Sequence, residues 1–255
     1  MRTIRLTLVM GVLLLGIHTL RATDDVGMIV MEGLNKLPLQ DTQSYNEVME
    51  SMAVAGKNAI ILIADQMNAA EWDQRSKLEY AIDGVVDYTM MTGKKKYRSG
   101  VVNGLTTALY NCSDNPNKAF LLSELQKCAT AREFDVFRRY LSDPYLQDYA
   151  ISGIAQLKGI DRQTVKLIKA EAAPREKLAY LAYFKQLKGV EKTLLNWLPD
   201  ADEKTKASIY MALITCGSER SLKVLQEAAH DVGYKTDATG VMDAYLRLAE
   251  KMVKK

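Results

Sequence analysis

The sequence predicts an all-α protein, folded as a right-handed α-solenoid of helix pairs that repeat about every 30 residues. Two observations carry this prediction. Apolar residues recur at helical spacing along most of the chain, and the residues that start and end helices recur at a regular interval. This period, with two helices in each unit, is typical of stacked helical repeats, in which neither helix buries its apolar stripe alone.

Helical spacing is clearest between residues 73 and 91. The apolar side chains there follow one another at intervals of three and four, which places them on one face of a helix. The stripe consists of Leu78, Ile82, Val85, Val86 and Thr89. The apolar run 60–63 resembles a short strand, but it continues at helical spacing through Ala64 and Met67, so a helix is predicted there too.

The predicted helix starts set the period. Pro116, Pro144 and Pro174 are spaced by 28 and 30 residues, and Asp202 follows after another 28. Proline is tolerated in the first helical turn, where its missing N–H would have no partner, and a preceding Asp or Asn caps that turn. We therefore expect a first helix to begin at each of these positions, with Asn115 capping the first of them.

The predicted helix ends repeat as well. The sequence Gln-Leu-Lys-Gly occurs at 156–159 and again at 186–189. In both copies we expect the Leu to be buried, the Lys to be solvated, and the Gly to take the left-handed conformation that closes a helix. Gly217 occupies the same place in the next unit, whereas the first unit has Ala129 and Thr130 and must close differently.

The four helix pairs read NPNKAFLLSELQKCA with EFDVFRRYL, DPYLQDYAISGIAQLKG with RQTVKLIKA, APREKLAYLAYFKQLKG with VEKTLLNWL, and DEKTKASIYMALITCG with SERSLKVLQEAA. Residues 115–229 resemble HEAT-like repeats of the short variety, and residues 44–110 do so loosely. The resemblance implies a helical-repeat fold that acts by binding.

A narrower resemblance lies in three stretches: EYAIDGVVDY (79–88), NPNKAFLLSELQKCATA (115–131) and EAAPREKLAY (171–180). They are similar to the N-terminal helical region of exported Bacteroides-type proteins that also carry a 3-keto-disaccharide hydrolase domain. No β-rich segment and no counterpart of that domain's catalytic residues is found in this sequence. The hydrolase activity is therefore not carried over.

Three segments are predicted along the chain. Residues 1–22 are interpreted as an export signal, because Arg2 and Arg5 precede an uncharged apolar run and Ala22 offers a small residue for cleavage. The run is shorter than the roughly 20 residues of a membrane span, and an uncleaved anchor is the alternative. Residues 23–43 are predicted to cap the fold, and residues 44–255 to form the repeat domain. We therefore expect an exported protein, periplasmic or extracellular, with no stable membrane span after cleavage.

Residue usage excludes several classes of function. Three of the 34 basic residues lie in the predicted signal, which holds no acid, so the rest of the chain carries 31 charges of each sign. A general attraction to nucleic acid is therefore unsupported. His230 is the only histidine beyond the signal, which excludes sites that need two histidines. The three cysteines are expected to be free thiols in the core, and we expect no cofactor, no metal and no enzymatic activity.

Three charged or aromatic clusters have two possible interpretations each. The run 94–98 (KKKYR) is interpreted as a solvated loop, with a polyanion contact as the alternative. The acids Glu79, Asp83 and Asp87 are interpreted as a solvated stripe, because acid–base work would need one of them desolvated. Several aromatic residues share helix faces and are expected to pack between repeats, with sugar or peptide binding as the alternative. These are Tyr145, Tyr149, Tyr180, Tyr183 and Phe184.

Solenoids usually bind partners through the surface lined by the second helix of each unit. In this chain the polar residues of that series are mostly basic. They are Arg138, Arg139, Lys166, Lys169, Lys192, Asn196 and Lys223. The sequence thus predicts a weakly basic ridge and a non-catalytic binding or scaffolding module for a protein or glycan partner. The alternative is an accessory module of a glycan-processing enzyme whose catalytic domain is missing or on another chain.

Overall fold

The computed structural model describes residues 25–68 and 70–254. The predicted export signal, residues 1–22, lies outside the described residues. Within those two ranges every regular element is a helix and no strand occurs, which confirms the all-α prediction. None of the described helices has the length and apolar composition needed to cross a membrane.

The helices are α1 (25–36), α2 (Thr42–Ala55), α3 (Lys57–Met67), α4 (Trp72–Met90), α5 (Arg98–Asn111), α6 (Asn115–Cys128), α7 (Phe134–Arg138), α8 (Gln147–Gln156), α9 (Asp161–Lys169), α10 (Arg175–Phe184), α11 (Glu191–Trp197), α12 (Glu203–Cys216), α13 (Glu219–Asp231) and α14 (Val241–Val253). Short 3₁₀ turns at Lys95–Tyr97, Ala131–Glu133 and Leu198–Asp200 lead into or out of these helices.

The chain divides into two compact units, one ending at Ala129 and the other beginning at Thr130. The first unit contains α1 to α6, with α3 packed on α5, α2 on α4, and α6 on both α4 and α5. The predicted stripe of α4 lies in its core, because each of the five residues is at most 2 % exposed. The run 60–63 lies within α3, as its spacing predicts.

The second unit contains α7 to α14. Its most extensive helix contact joins α10 to α12, and α14 packs across α12 and α13. Leu178, Val190, Leu194 and Leu213 are fully buried in one continuous core. Residues 237–240 do not belong to α14, which begins at Val241. The side chain of Asp237 instead accepts from the hydroxyl of Thr239, so these residues form a turn before the helix.

The first and last predicted helix starts are close to their expected places. Asp114, rather than Asn115, caps α6, since its Oδ2 accepts from the backbone N–H of Asn117 at 2.9 Å. Pro116 therefore lies inside the first turn, where its missing N–H leaves no bond unmade. Asp202 caps α12 as expected, with its carboxylate 2.8 Å from the backbone nitrogen of Thr205.

Pro144 and Pro174 lie just outside α8 and α10, which corrects the expectation that they occupy the first turn of these helices. The carboxylate of Asp143 accepts from the backbone N–H groups of Tyr145 and Leu146, so Pro144 belongs to a capped turn before α8. Pro174 is the residue immediately before α10. Proline suits both positions, since it fixes φ without needing a backbone donor.

Both copies of Gln-Leu-Lys-Gly bury their leucine, as predicted. Leu157 is 3 % and Leu187 2 % exposed, and the following Gly159 and Gly189 have φ of 74° and 80°. Gly217 differs, since its φ is −69° and the prediction of a left-handed residue there is wrong. A Cβ at Gly217 would lie 2.5 Å from the carbonyl oxygen of Leu213, so crowding rather than backbone freedom explains this glycine.

Candidate functional site: a basic groove between α7 and α9

One wall of the groove is α7 with the turn before it. Thr130 and Glu133 form a capping box, in which the Glu133 carboxylate accepts from the Thr130 backbone N–H at 2.6 Å. This fixes the direction in which the chain enters α7. Phe134 and Phe137 then turn into the core, and Arg138 is left exposed on the outer side.

The other wall is α9. Its inner face consists of Thr164, Leu167 and Ile168, which are buried, and the Thr164 hydroxyl donates to the carbonyl oxygen of Ile160 at 3.0 Å. Residues three positions apart on the opposite side of a helix share the outer face. Gln163 and Lys166 occupy that face and are exposed.

Between these walls lies an open groove of about 630 Å³, a size within the range of ligand sites. Phe134 and Leu167 form its apolar floor. Its charged lining comprises Arg132, Asp135, Arg138 and Lys166, three cations and one acid. We call this feature the basic groove.

The single acid of the basic groove is already engaged. Arg138 Nε donates to Asp135 Oδ1 at 2.8 Å, and both side chains are more than half exposed, so this pair adds little stability. Arg132 and Lys166 form no side-chain hydrogen bond or ion pair within the described ranges. The groove therefore presents two cations whose charge no neighbouring carboxylate neutralises.

The structure places all seven residues of the predicted ridge on the surface. Two of them, Arg138 and Lys166, come together in the basic groove. The other five are exposed but do not line it: Arg139 after α7, Lys169 on α9, Lys192 and Asn196 on α11, and Lys223 on α13.

The sequence interpretation missed Arg132 and Gln163. Arg132 lies in the turn before α7 rather than in a second helix, so it does not belong to the series of residues that predicts the ridge. Gln163 precedes Lys166 by three residues, and that spacing could have identified it as part of the same face.

The basic run 94–98 is largely structural. Lys94 Nζ and the Tyr97 hydroxyl donate to the Glu50 carboxylate, at 3.2 and 3.0 Å. Arg98 donates to the carbonyl oxygens of Cys128 and Ala129, at 2.5 and 2.9 Å. These bonds join α2, the 3₁₀ turn and the end of α6 within the first unit, so most of the run is occupied by internal contacts.

A buried carboxyl lies between α4 and α6 in the first unit. The Glu124 side chain is 5 % exposed, and its Oε1 lies 3.0 Å from Lys127 Nζ. Lys127 also binds Asp83, whereas Glu124 Oε2 has no hydrogen-bond partner. Burial raises the pKa of Glu124 to about 7, against the opposing effect of Lys127. The sequence interpretation noted Asp83 but not Glu124.

The three cysteines are free thiols, as expected. Cys112 and Cys128 are buried and Cys216 is half-buried. Burial raises the pKa of Cys216 to about 11 and also raises that of Cys112. A thiol of high pKa is a poor nucleophile, since the thiolate is the reactive form.

The described residues contain no group of three His, Cys, Asp or Glu side chains placed to hold a metal ion. The basic groove of the second unit has three cations and one acid in its lining, and two of these cations have no carboxylate partner. Comparison with known proteins adds no relative: no family model, no curated protein and no solved structure matches this chain.

Proposed function

We propose that this protein is a non-catalytic binding module whose basic groove holds an acidic segment of a partner protein. The observation that carries the proposal is the pair Arg132 and Lys166, which lie in one groove without a carboxylate partner. The apolar floor formed by Phe134 and Leu167 adds a place for an apolar side chain of the segment. Apolar contact supplies affinity, and the two cations supply selection for acidic residues.

We further propose that the helix pairs α8–α9, α10–α11 and α12–α13 are HEAT-like repeats of a right-handed solenoid. Their first helices begin at residues 147, 175 and 203 and their second helices at 161, 191 and 219, intervals of 28 to 30 residues. The basic groove, in this proposal, lies on the second-helix side that solenoids use for binding.

Hydrogen bonds between neighbouring pairs support the repeat. Lys185 donates to the Leu157 carbonyl across 28 residues, and Trp197 donates to Glu171 across 26. The Ser218 hydroxyl donates to Glu191 across 27. Each bond joins the start or end of one helix to the same part of the corresponding helix in the neighbouring pair, as expected for stacked units.

The proposed setting is outside the cytoplasm, because residues 1–22 carry the pattern of an export signal. The partner would then be another exported or envelope protein with an acidic, partly apolar segment. HEAT-like repeats bind extended segments of this kind through side chains displayed at regular intervals.

The test uses a fluorescent peptide of alternating Glu and Leu and measures its Kd by anisotropy. We expect binding that weakens with added salt, because exposed charges are screened. The double variant Arg132→Glu, Lys166→Glu should weaken binding by about ten-fold or more, since it replaces two attractions with two repulsions.

The matched control is Lys192→Glu, Lys223→Glu. It changes the charge by the same amount at two exposed residues of the predicted ridge that do not line the groove. We expect this control to lose little affinity. Equal losses in the two variants would show that only overall charge matters and would contradict the groove as the site.

A further inference from the structure

A second groove in the same unit has a different chemical character. It lies where the ends of α10 and α12 meet α14 and has a volume of about 510 Å³. Its lining includes Tyr183, Phe184, Gln186, Lys188 and Arg247. We call it the aromatic groove.

Three cations line the aromatic groove, and two of them, Arg247 and Lys251, form hydrogen bonds within the protein. Lys251 Nζ donates to the carbonyl oxygens of Ile214 and Thr215, at 2.8 and 2.6 Å. These are among the last carbonyls of α12, where the helix dipole places about half a negative charge. Lys251 therefore offsets the charge of a helix end.

Arg247 forms an ion pair with a carboxylate on its own helix. Its Nη1 donates to Asp243 Oδ2 at 3.4 Å, and hydrogen bonds with Asp243 and Tyr183 raise the pKa of its guanidinium. Of the three cations in the aromatic groove, only Lys188 has no hydrogen bond or ion pair among the described residues. The aromatic groove thus offers a ligand one unengaged cation, whereas the basic groove offers two.

The mouth of the aromatic groove carries an exposed aromatic surface. Phe184 is 45 % and the neighbouring Tyr180 46 % exposed, and their rings stack with centroids 6.3 Å apart and planes 29° apart. Packing between repeats does not cover these rings, contrary to the expectation from the sequence. Two large rings held nearly parallel in contact with water provide a flat apolar surface beside polar side chains.

Gln186 adds a polar side chain to the lining of the aromatic groove. Its φ is 50°, in the left-handed region that a glutamine rarely adopts, and its backbone N–H donates to the Tyr183 carbonyl at 3.0 Å. This left-handed residue ends α10, since the backbone N–H of Leu187 donates to the Ala182 carbonyl at 3.0 Å, and Glu171 after α9 has the same conformation. The turn holds the exposed Gln186 side chain among the residues that line the groove.

We propose that the aromatic groove binds a neutral oligosaccharide. The C–H faces of a sugar ring are apolar and would lie on Phe184 and Tyr180, while its hydroxyl groups accept and donate hydrogen bonds. The amide of Gln186 both donates and accepts, and the ammonium of Lys188 donates, which are the groups that hydroxyls require. The mixed apolar and polar lining of a few hundred Å³ suits a small polar ligand with flat apolar faces.

The test titrates the full chain with three neutral probes, cellohexaose, laminarihexaose and maltohexaose, by isothermal calorimetry. We expect at least one to bind. The double variant Tyr180→Ala, Phe184→Ala should weaken that binding by about ten-fold or more, since both stacking surfaces are lost. Phe184→Tyr should retain it.

The control is Tyr145→Ala, Tyr149→Ala, which removes two other exposed rings of this unit. It should bind the sugar like the original protein, and all variants should bind the Glu-Leu peptide normally. Failure of all three sugars to bind, or equal losses in the two double variants, overturns the proposal. Binding of a trigalacturonate probe alone would also overturn it, because the ligand would then be acidic.

Discussion

The ammonium group of Lys185 donates a hydrogen bond to the carbonyl oxygen of Leu157, 2.7 Å away. This bond connects the end of α10 to the first residue after α8. The Leu157 carbonyl comes after the last turn of its helix, where no backbone N–H is available to satisfy it. Burial lowers the pKa of Lys185, because its charge is partly removed from water.

Replacing Lys185 with Met should destabilise the protein by about 1 kcal/mol, because the carbonyl of Leu157 loses its donor while the apolar stem is kept. Urea unfolding at neutral pH measures the change. Lys188→Met is the matched control, since Lys188 follows three residues later and is exposed. A loss as large in the control would contradict a specific role for the bond.

Leu157→Asp and Leu187→Asp should each lower the free energy of unfolding by several kcal/mol, because an unpaired charge enters the core. Lys158→Asp is the control, since it introduces the same aspartate at an exposed position and so tests whether burial of the charge causes the loss of stability. Lys158 is the exposed neighbour of Leu157, so its change should be nearly neutral. An unchanged melting temperature in both leucine variants would refute the assigned packing.

Gly159 and Gly217, which follow the first helices α8 and α12, should respond differently to substitution. Gly159→Ala should cost about 1 kcal/mol, because alanine is strained at positive φ, and Gly159→Asn should cost less, because asparagine tolerates that region. At Gly217 the φ of −69° suits any residue, but a Cβ meets the Leu213 carbonyl.

Gly217→Ala and Gly217→Asn should therefore both cost about 1–3 kcal/mol, the scale of overpacking. Thermal unfolding of the four variants measures the order. If asparagine is better tolerated than alanine at Gly217, the backbone there is left-handed and the steric explanation is wrong.

Glu124 should make stability depend on pH. Its pKa is raised by burial from 4.5 to about 7, so the folded state holds a proton that the unfolded state releases between these values. Stability from this group is complete below pH 4.5, falls as the pH rises through the interval, and reaches its lower level above about pH 7. The greatest slope is about 1.4 kcal/mol per pH unit.

Glu124→Gln should flatten the fall between pH 5 and 7.5 and should be at least as stable as the original protein at pH 8. Lys127 keeps Asp83 as a partner in this variant. Burial lowers the pKa of Lys127, but its hydrogen bonds to Asp83 and Glu124 outweigh this and raise it, so its charge persists across the interval. Urea unfolding across the pH range measures the slope, and an identical slope in both proteins would contradict the prediction.

Local patterns predicted the helices well but not the groove. The spacing of Leu78 and Ile82 identified the buried face of α4, because periodicity reports which face a helix buries. The position of Arg132 depends instead on the capping box that turns the chain into α7. Glu124 looks like a surface acid in the sequence, and it is buried because α4 packs against α6, a contact between distant segments.

The predicted ridge does not single out the residues of the basic groove, for a related reason. Asn196 occupies the place in α11 that Lys166 occupies in α9, 30 residues earlier, yet only Lys166 lines the basic groove. The difference comes from α7, which is short and is preceded by a turn that brings Arg132 to the same side. The charges of the second helices alone cannot reveal this groove, because one of its walls is a turn with a short helix and the other is α9.

Mapping the Glu-Leu peptide on the isotope-labelled protein by NMR tests whether the basic groove is its binding site. We expect the backbone amides of Arg132, Gln163 and Lys166 to shift most during the titration, and the variant Arg132→Glu, Lys166→Glu to show much smaller shifts at the same peptide concentration. Shifts as large at Lys192, Asn196 and Lys223 would contradict it, since binding would then follow the general basic surface rather than the groove.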